Sequence, residues 1–145
     1  MRDFFVDFMD HANAQPDRQR FRKIIAERLN IATGDRVLDV GCGTGDDVRM
    51  LAPLVGSTGR VVGIDASKTM IDLAEERSRL SSLPVSFAVG NALSLDFPDD
   101  AFDACRCVTV LMHVDGEPAD AIAEMVRVTR PGRHVVIFDV HWDGE

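Results

Sequence analysis

Hydrophobic positions recur along this chain with two periods in alternation. Over residues 17–29, "DRQRFRKIIAERL", Phe21, Ile24, Ile25 and Leu29 share one face at helical spacing, and Pro16 just ahead suits a first turn. "RVLDVG", 36–41, reads as a short apolar strand stopped by glycine, and "DDVRMLAPLV", 46–55, as a helix. The pattern then repeats, with a strand at 60–64 and a helix that has Ser67 as N-cap and Met70, Ile71 and Ala74 inward. "PVSFAVG" and "AFDACRCV" supply a third and a fourth strand. "EPADAIAEMVRVTR" is a helix with Pro118 in its first turn and Ile122, Met125 and Val126 on one side. Pro131 and Gly132 turn the chain into a fifth strand, "RHVVIFDV". Ahead of all of these, Phe4, Phe5, Phe8 and Met9 line one face of an N-terminal helix.

Strands alternating with helices, the first two strands strongly apolar, mean a parallel sheet covered on both faces. Right-handed crossovers make it an α/β, doubly wound (Rossmann-like) and mostly parallel sheet. The expectation is one domain over 1–145, with cap helices over 1–30 and the core over 35–140. Composition agrees, since 145 residues with 46% hydrophobic and 28% charged suit one soluble globular core. A net charge of −8 and the absence of a Lys/Arg-rich block argue against nucleic acid or an anionic membrane as main partner. No apolar run reaches the roughly 20 residues of a membrane span. Asp3, Asp7 and Asp10 interrupt the N-terminal phenylalanines, unlike a signal peptide, so a cytoplasmic location is expected. Cys42, Cys105 and Cys107 are sparse and odd in number, which points to reduced thiols and no metal site.

The stretch "DVGCGTGDD", 39–47, sits where such folds bind ligands, at the carboxyl end of the first strand. Gly41, Gly43 and Gly45 allow close approach of backbone to ligand. A dinucleotide fingerprint needs glycine at position 46, where this chain has Asp46. Asp46 and Asp47 in the first turn of the helix are expected to repel a diphosphate. S-adenosylmethionine, with an adenosine, a sulfonium and an amino-acid tail, needs no phosphate nest. Asp65 ends the second strand 20 residues after Gly45, placed to accept both ribose hydroxyls of an adenosine.

"VLDVGCGTG", "VVGIDAS", "VGNALSLDFPDDAFDACRCVTVLMHV" and "EMVRVTRPGRHVVIFD" together resemble the successive motifs of class I S-adenosylmethionine-dependent methyltransferases. The small-molecule enzymes of the ubiquinone/menaquinone-biosynthesis type are the nearest in look, over about residues 35–140. The resemblance implies that Asp39 and the backbone of Gly41, Cys42, Gly43 and Gly45 surround the methionine part. It puts Asp65 on the ribose, Ala66 and Met70 beside the adenine, and Asn91 and Ala92 at its edge. Asn91 departs from the family's usual Asp, which makes that contact neutral. Arg106, at the end of the fourth strand, faces the methionine moiety, with a side chain that either reaches a carboxylate or points outward.

Methyl transfer from a sulfonium is a direct displacement, so alignment carries the catalysis and no triad is expected. His113 is the titratable group placed to act as a base, or else a packed histidine. His11, His141 and Trp142 fall near the same mouth. The N-terminal aromatic segment either covers the site or packs on the core, and an apolar or aromatic small-molecule acceptor suits it. Family members continue beyond the fifth strand with a helix and two more strands, which this chain lacks. Its fifth strand is therefore expected to be an open edge, through which the chain dimerises unless it is a piece of a longer enzyme. Two other readings stand behind methyl transfer: a methyltransferase fold that binds cofactor but is catalytically incomplete, and a nicotinamide-dependent oxidoreductase.

Overall fold

The computed structural model describes residues 4–139. Its elements run α1 (Phe4–Ala14), α2 (Pro16–Arg28), β1 (Arg36–Val40), α3 (Asp46–Val55), β2 (Arg60–Asp65), α4 (Lys68–Ser78) and β3 (Val85–Val89). Then come β4 (Phe102–Val108), a 3-10 turn (Leu111–His113), α5 (Pro118–Val128) and β5 (Thr129–Phe138). All five strands are parallel, in the order β3-β2-β1-β4-β5. The chain reverses its direction of winding between β1 and β4, so both strands open onto the switch point where α/β sheets bind ligands.

Each sheet face is sealed by its own cluster. Leu29, Val37, Val48, Leu51, Val61 and Ala104 pack on the face covered by α2 and α3, while Leu38, Val62, Cys105, Met125 and Val128 pack under α5. Leu51 has no exposed surface, and burying one such side chain contributes about 1.5–3 kcal/mol. Ser67 caps α4 as its sequence predicts, accepting the Met70 N–H at 3.3 Å, and Met70, Ile71 and Ala74 are buried.

Helix phases depart from the pattern in three places. In α2 the inward stripe is Arg22, Ile25 and Leu29, so Ile24 is turned out, 47% exposed, and the Phe21 ring packs edge-on against Phe138. A buried arginine takes the place that an apolar reading gives to isoleucine. In α1 the body-facing residue is Val6, 1% exposed, and the aromatic stripe of Phe4 and Phe8 faces solvent rather than the core. In α5 the inward residues are Ala121, Met125 and Val128, with Ile122 and Val126 exposed. The cause lies at its end: Thr129 has extended dihedrals and pairs at once with Phe102, so helix passes into strand with no loop and the strand sets the phase.

β5 therefore starts four residues before the expected "RHVVIFDV". Pro131 and Gly132 lie inside the strand as an irregularity, because pairing steps from Phe102–Thr129 to Ala104–His134. The excursion carries two arginines: Arg130 reaches Asp103 at 2.5 Å and Arg133 reaches Asp35 at 2.5 Å. These pairs fasten the end of the sheet opposite the glycine loop. Among the described residues β5 has one strand neighbour, so it forms an edge, as does β3.

Candidate cofactor site

The turn after β1 takes left-handed dihedrals at all three glycines, with φ of 76° at Gly41, 55° at Gly43 and 87° at Gly45. Its amides are bonded inward. Gly41 and Cys42 both donate to the Ile64 carbonyl at 2.8 Å, Gly45 donates to Cys42 O at 3.0 Å, and Gly43 donates to Asp65 Oδ2 at 3.0 Å. A phosphate nest needs such N–H groups free and convergent. Four of the loop's amides, those of Gly41, Cys42, Gly43 and Gly45, are bonded inward instead, so the loop shapes a surface with these four donors already engaged.

Asp46 and Asp47 require a correction. They were expected to keep diphosphate away by charge, yet each is compensated. Asp46 accepts from Arg49 Nη2 at 2.6 Å and from Asn13 Nδ2 at 3.2 Å. Asp47 pairs with Arg22 Nε and with Arg106 Nη1. The first turn of α3 therefore carries no surplus of negative charge, and four of the loop's amides are turned away from a ligand.

β1 and β4 set Asp39 directly beside Arg106 in their register, on the face covered by α2 and α3. Arg106 is 2% exposed and takes the carboxylate-bound placement: its Nη1 lies 3.0 Å from Asp39 Oδ2 and 3.0 Å from Asp47 Oδ2. Burial pushes the Asp39 carboxyl up to about 7 against the pull of Arg106, and the Asp47 charge adds to the rise. Asp47 is also raised by burial, but Arg106 and Arg22 outweigh that and hold it below the usual carboxylate range. Burial pushes the Cys107 thiol up to about 12 and Cys42 and Cys105 higher still, so none of the three is a thiolate nucleophile near neutral pH.

Asp65 ends β2 with each carboxylate oxygen bonded to backbone, Oδ2 to the Gly43 N–H and Oδ1 to the Ser67 N–H at 2.9 Å. Each oxygen keeps a further lone pair for a hydroxyl. Ala66 is exposed and Met70 is packed inward. Asn91 is exposed, and its Oδ1 accepts the Leu93 N–H at 2.9 Å, the turn-forming bond of an Asn, while Ala92 is half-buried. His113 is exposed on the 3-10 turn, and His11 is exposed on α1 beside Gln15. His141 and Trp142 lie outside the described residues.

Several residues close over the loop that no motif announces. A Cβ on Gly41 would meet Val110 Cγ2 at 2.1 Å, and one on Gly43 would meet Met9 Cε at 3.2 Å. Val110 follows Thr109, which holds a positive φ of 56°, a conformation that costs a β-branched residue energy and is concentrated at functional sites. α1 is held across the mouth by Asp10, which pairs with both Arg77 Nη1 (2.9 Å) and Nη2 (3.0 Å). The bonds of this clasp, from Asn13 to Asp46 and from Arg77 to Asp10 and Thr44, span 33 to 67 positions, so no local signal marks them. A separate open groove of about 510 Å³ lies between α2 and α3, lined by Ala26, Met50 and Leu54 among others. None of its lining residues belongs to the glycine loop or to a strand.

Two carboxylates, Asp39 and Asp65, beside a glycine loop mark the switch point of a doubly wound α/β domain. The chain belongs to the methyltransferase domain family, whose profile matches residues 37–132, and its fold is that of the class I S-adenosylmethionine-dependent enzymes. S-adenosylmethionine is the family's cofactor, and the carboxylate acceptors present, Asp39 and Asp65, fit its ribose hydroxyls and its cationic ammonium. The chain is 42% identical over 110 residues to the 2-phytyl-1,4-naphtoquinone methyltransferase of Synechococcus elongatus, covering 74% of this chain and 47% of that one. A SAM-dependent methyltransferase from Aquifex aeolicus superposes with a TM-score of 0.76 at 25% identity, over 90% of this chain and 72% of that one. The [4+2]-cyclase SpnF superposes with a TM-score of 0.73 at 36% identity, over 81% of this chain and 43% of that one. The chain spans about half the length of the curated relatives it matches. Among the described residues no cluster suited to a metal ion occurs, and no helix is long and apolar enough to cross a membrane.

Proposed function

We propose that this chain binds S-adenosylmethionine at the β1/β4 switch point for methyl transfer to a small-molecule acceptor. The observation that carries this reading is the inward bonding of the glycine loop's amides beside two carboxylates, Asp39 and Asp65, which suits an adenosine with a cationic tail. Asp65 takes the ribose hydroxyls. Asp39, steadied by Arg106, and the backbone of Gly41, Cys42, Gly43 and Gly45 surround the methionine end. Ala66, Met70, Asn91 and Ala92 border the adenine, with the Asn91 amide free to donate once its oxygen serves the Leu93 N–H. When bound, the cofactor supplies a methyl group on a positive sulfur. The chain's part is to align the acceptor, exclude water and, where the acceptor must lose a proton, receive it at His113.

The acceptor we infer is apolar or aromatic. The exposed Phe4 and Phe8 on α1 support this, as does the quinone acceptor in the Synechococcus relative's name. A cytoplasmic location and pairing of two chains through the β5 edge belong to the same reading. The likeness to SpnF, named a [4+2]-cyclase and not a methyltransferase, favours a second reading in which this chain binds cofactor but is catalytically incomplete. Calorimetric titration with S-adenosylmethionine, S-adenosylhomocysteine and NAD tests the first step. Both S-adenosyl compounds should bind, and Asp65→Ala should weaken them at least about tenfold, given about 1.5–3 kcal/mol for a hydrogen bond to a charged group. Binding of NAD alone overturns the proposal.

A further inference from the structure

Arg22 belongs to α2, outside the glycine loop and the strand ends, yet its side chain is 9% exposed and its Nε donates to Asp47 Oδ1. Asp47 Oδ2 lies 3.0 Å from Arg106 Nη1, and the same nitrogen lies 3.0 Å from Asp39 Oδ2. Four charges of alternating sign therefore run from the cap helix to the end of β1. Other groups around Asp39 do not break the row: Asp65 of β2 is the remaining carboxylate that acts on it, Asp46 is held by Arg49, and Cys42, Cys105 and Cys107 stay neutral thiols.

One arginine nitrogen shared by two carboxylates is a contest. Arg22 occupies Asp47 from the far side and leaves Arg106 available to Asp39. Without Arg22, Asp47 draws Arg106 to itself, and a buried Asp39 deprived of its cation takes up a proton. A protonated carboxyl no longer attracts an ammonium group. We propose that Arg22 is a positioning residue for the amino-acid end of the cofactor, acting through Asp47 and Arg106 to keep Asp39 oriented and ionised towards the ligand's α-ammonium. This rests on the cofactor-binding reading above.

Two ligands separate the role from simple packing. S-adenosylhomocysteine carries the α-ammonium, and 5′-methylthioadenosine has the same adenosine without it. In the wild-type chain, affinity for S-adenosylhomocysteine should rise as pH climbs through about 7, where Asp39 loses its proton, while affinity for methylthioadenosine stays flat. Arg22→Gln should move that rise to higher pH and weaken S-adenosylhomocysteine about fivefold at pH 7, the effect of one pH unit of displaced titration on a group half ionised there. Methylthioadenosine should bind Arg22→Gln as it binds wild type, and Arg22→Lys should recover most of the loss. Adding Asp47→Asn to Arg22→Gln should also restore binding, because the competitor for Arg106 is gone; a merely structural Arg22 predicts a worse double variant. Equal weakening of both ligands, or of neither, overturns the proposal. A wild-type chain that binds neither ligand overturns the cofactor reading, and the role of Arg22 with it.

Discussion

Asp39 is 1% exposed, and burial holds its carboxyl near 7 instead of the usual 3.8. Between those two values the folded chain keeps a proton that the unfolded chain releases. The unfolded state then binds fewer protons, so this group lowers stability as pH rises from about 4 to 7 and contributes no further change above. Asp47 acts with the opposite sign and in a lower window, because its folded value lies below the ordinary one. Asp39→Asn removes the first effect. Its urea midpoint relative to wild type should climb between pH 5 and pH 8, and parallel profiles across that range would mean that Asp39 ionises normally. The residue scale also shows where sequence stops informing. Positive φ at Gly41, Gly43 and Gly45 was legible, since only glycine takes it without strain. The partners of Asp47 were not, because Arg22 lies 25 positions away in sequence and its inward aim depends on a helix phase that apolar counting assigns to Ile24.

At the scale of elements, the periodicities located each α-helix and strand among the described residues though not the 3-10 turn at Leu111–His113, and Pro16, Ser67 and Pro118 marked starts that the structure keeps. Phase was harder. A helix of 11 residues carrying both Ile122–Val126 and Met125–Val128 has two apolar stripes, and only its fusion to β5 selects between them. The choice has a measurable consequence. Met125→Ala should destabilise the fold by about 2–5 kcal/mol, the cost of deleting a buried side chain, whereas Val126→Ala should stay within about 0.5 kcal/mol. Chemical denaturation of the two variants decides it, and equal losses would mean that α5 is rotated from the phase seen here. The early start of β5 escaped notice for a related reason. Pro131–Gly132 reads as a turn, and a strand absorbs it only where an excursion lets the chain skip pairing.

For the whole molecule, alternation of strand and helix was enough to specify a doubly wound parallel sheet, because few topologies satisfy right-handed crossovers. It did not specify how α1 lies over the loop, which depends on Asp10, Asn13 and Met9 meeting groups from α3, α4 and the turn after β1. Among the described residues β5 has one strand neighbour, so its outer side is a sheet edge open to strand pairing. Light scattering on the concentrated 15.9 kDa chain should therefore report about twice that mass, and a monomer throughout would count against pairing through this edge. The glycine loop carries a further meaning at this scale. The amides of its three glycines and of Cys42, and both oxygens of Asp65, are already engaged within the protein, and among the described residues no buried side-chain polar atom lacks a partner. On the proposed cofactor reading, arrival and departure of a nucleoside would leave these inward bonds unbroken, which suits repeated exchange of ligands.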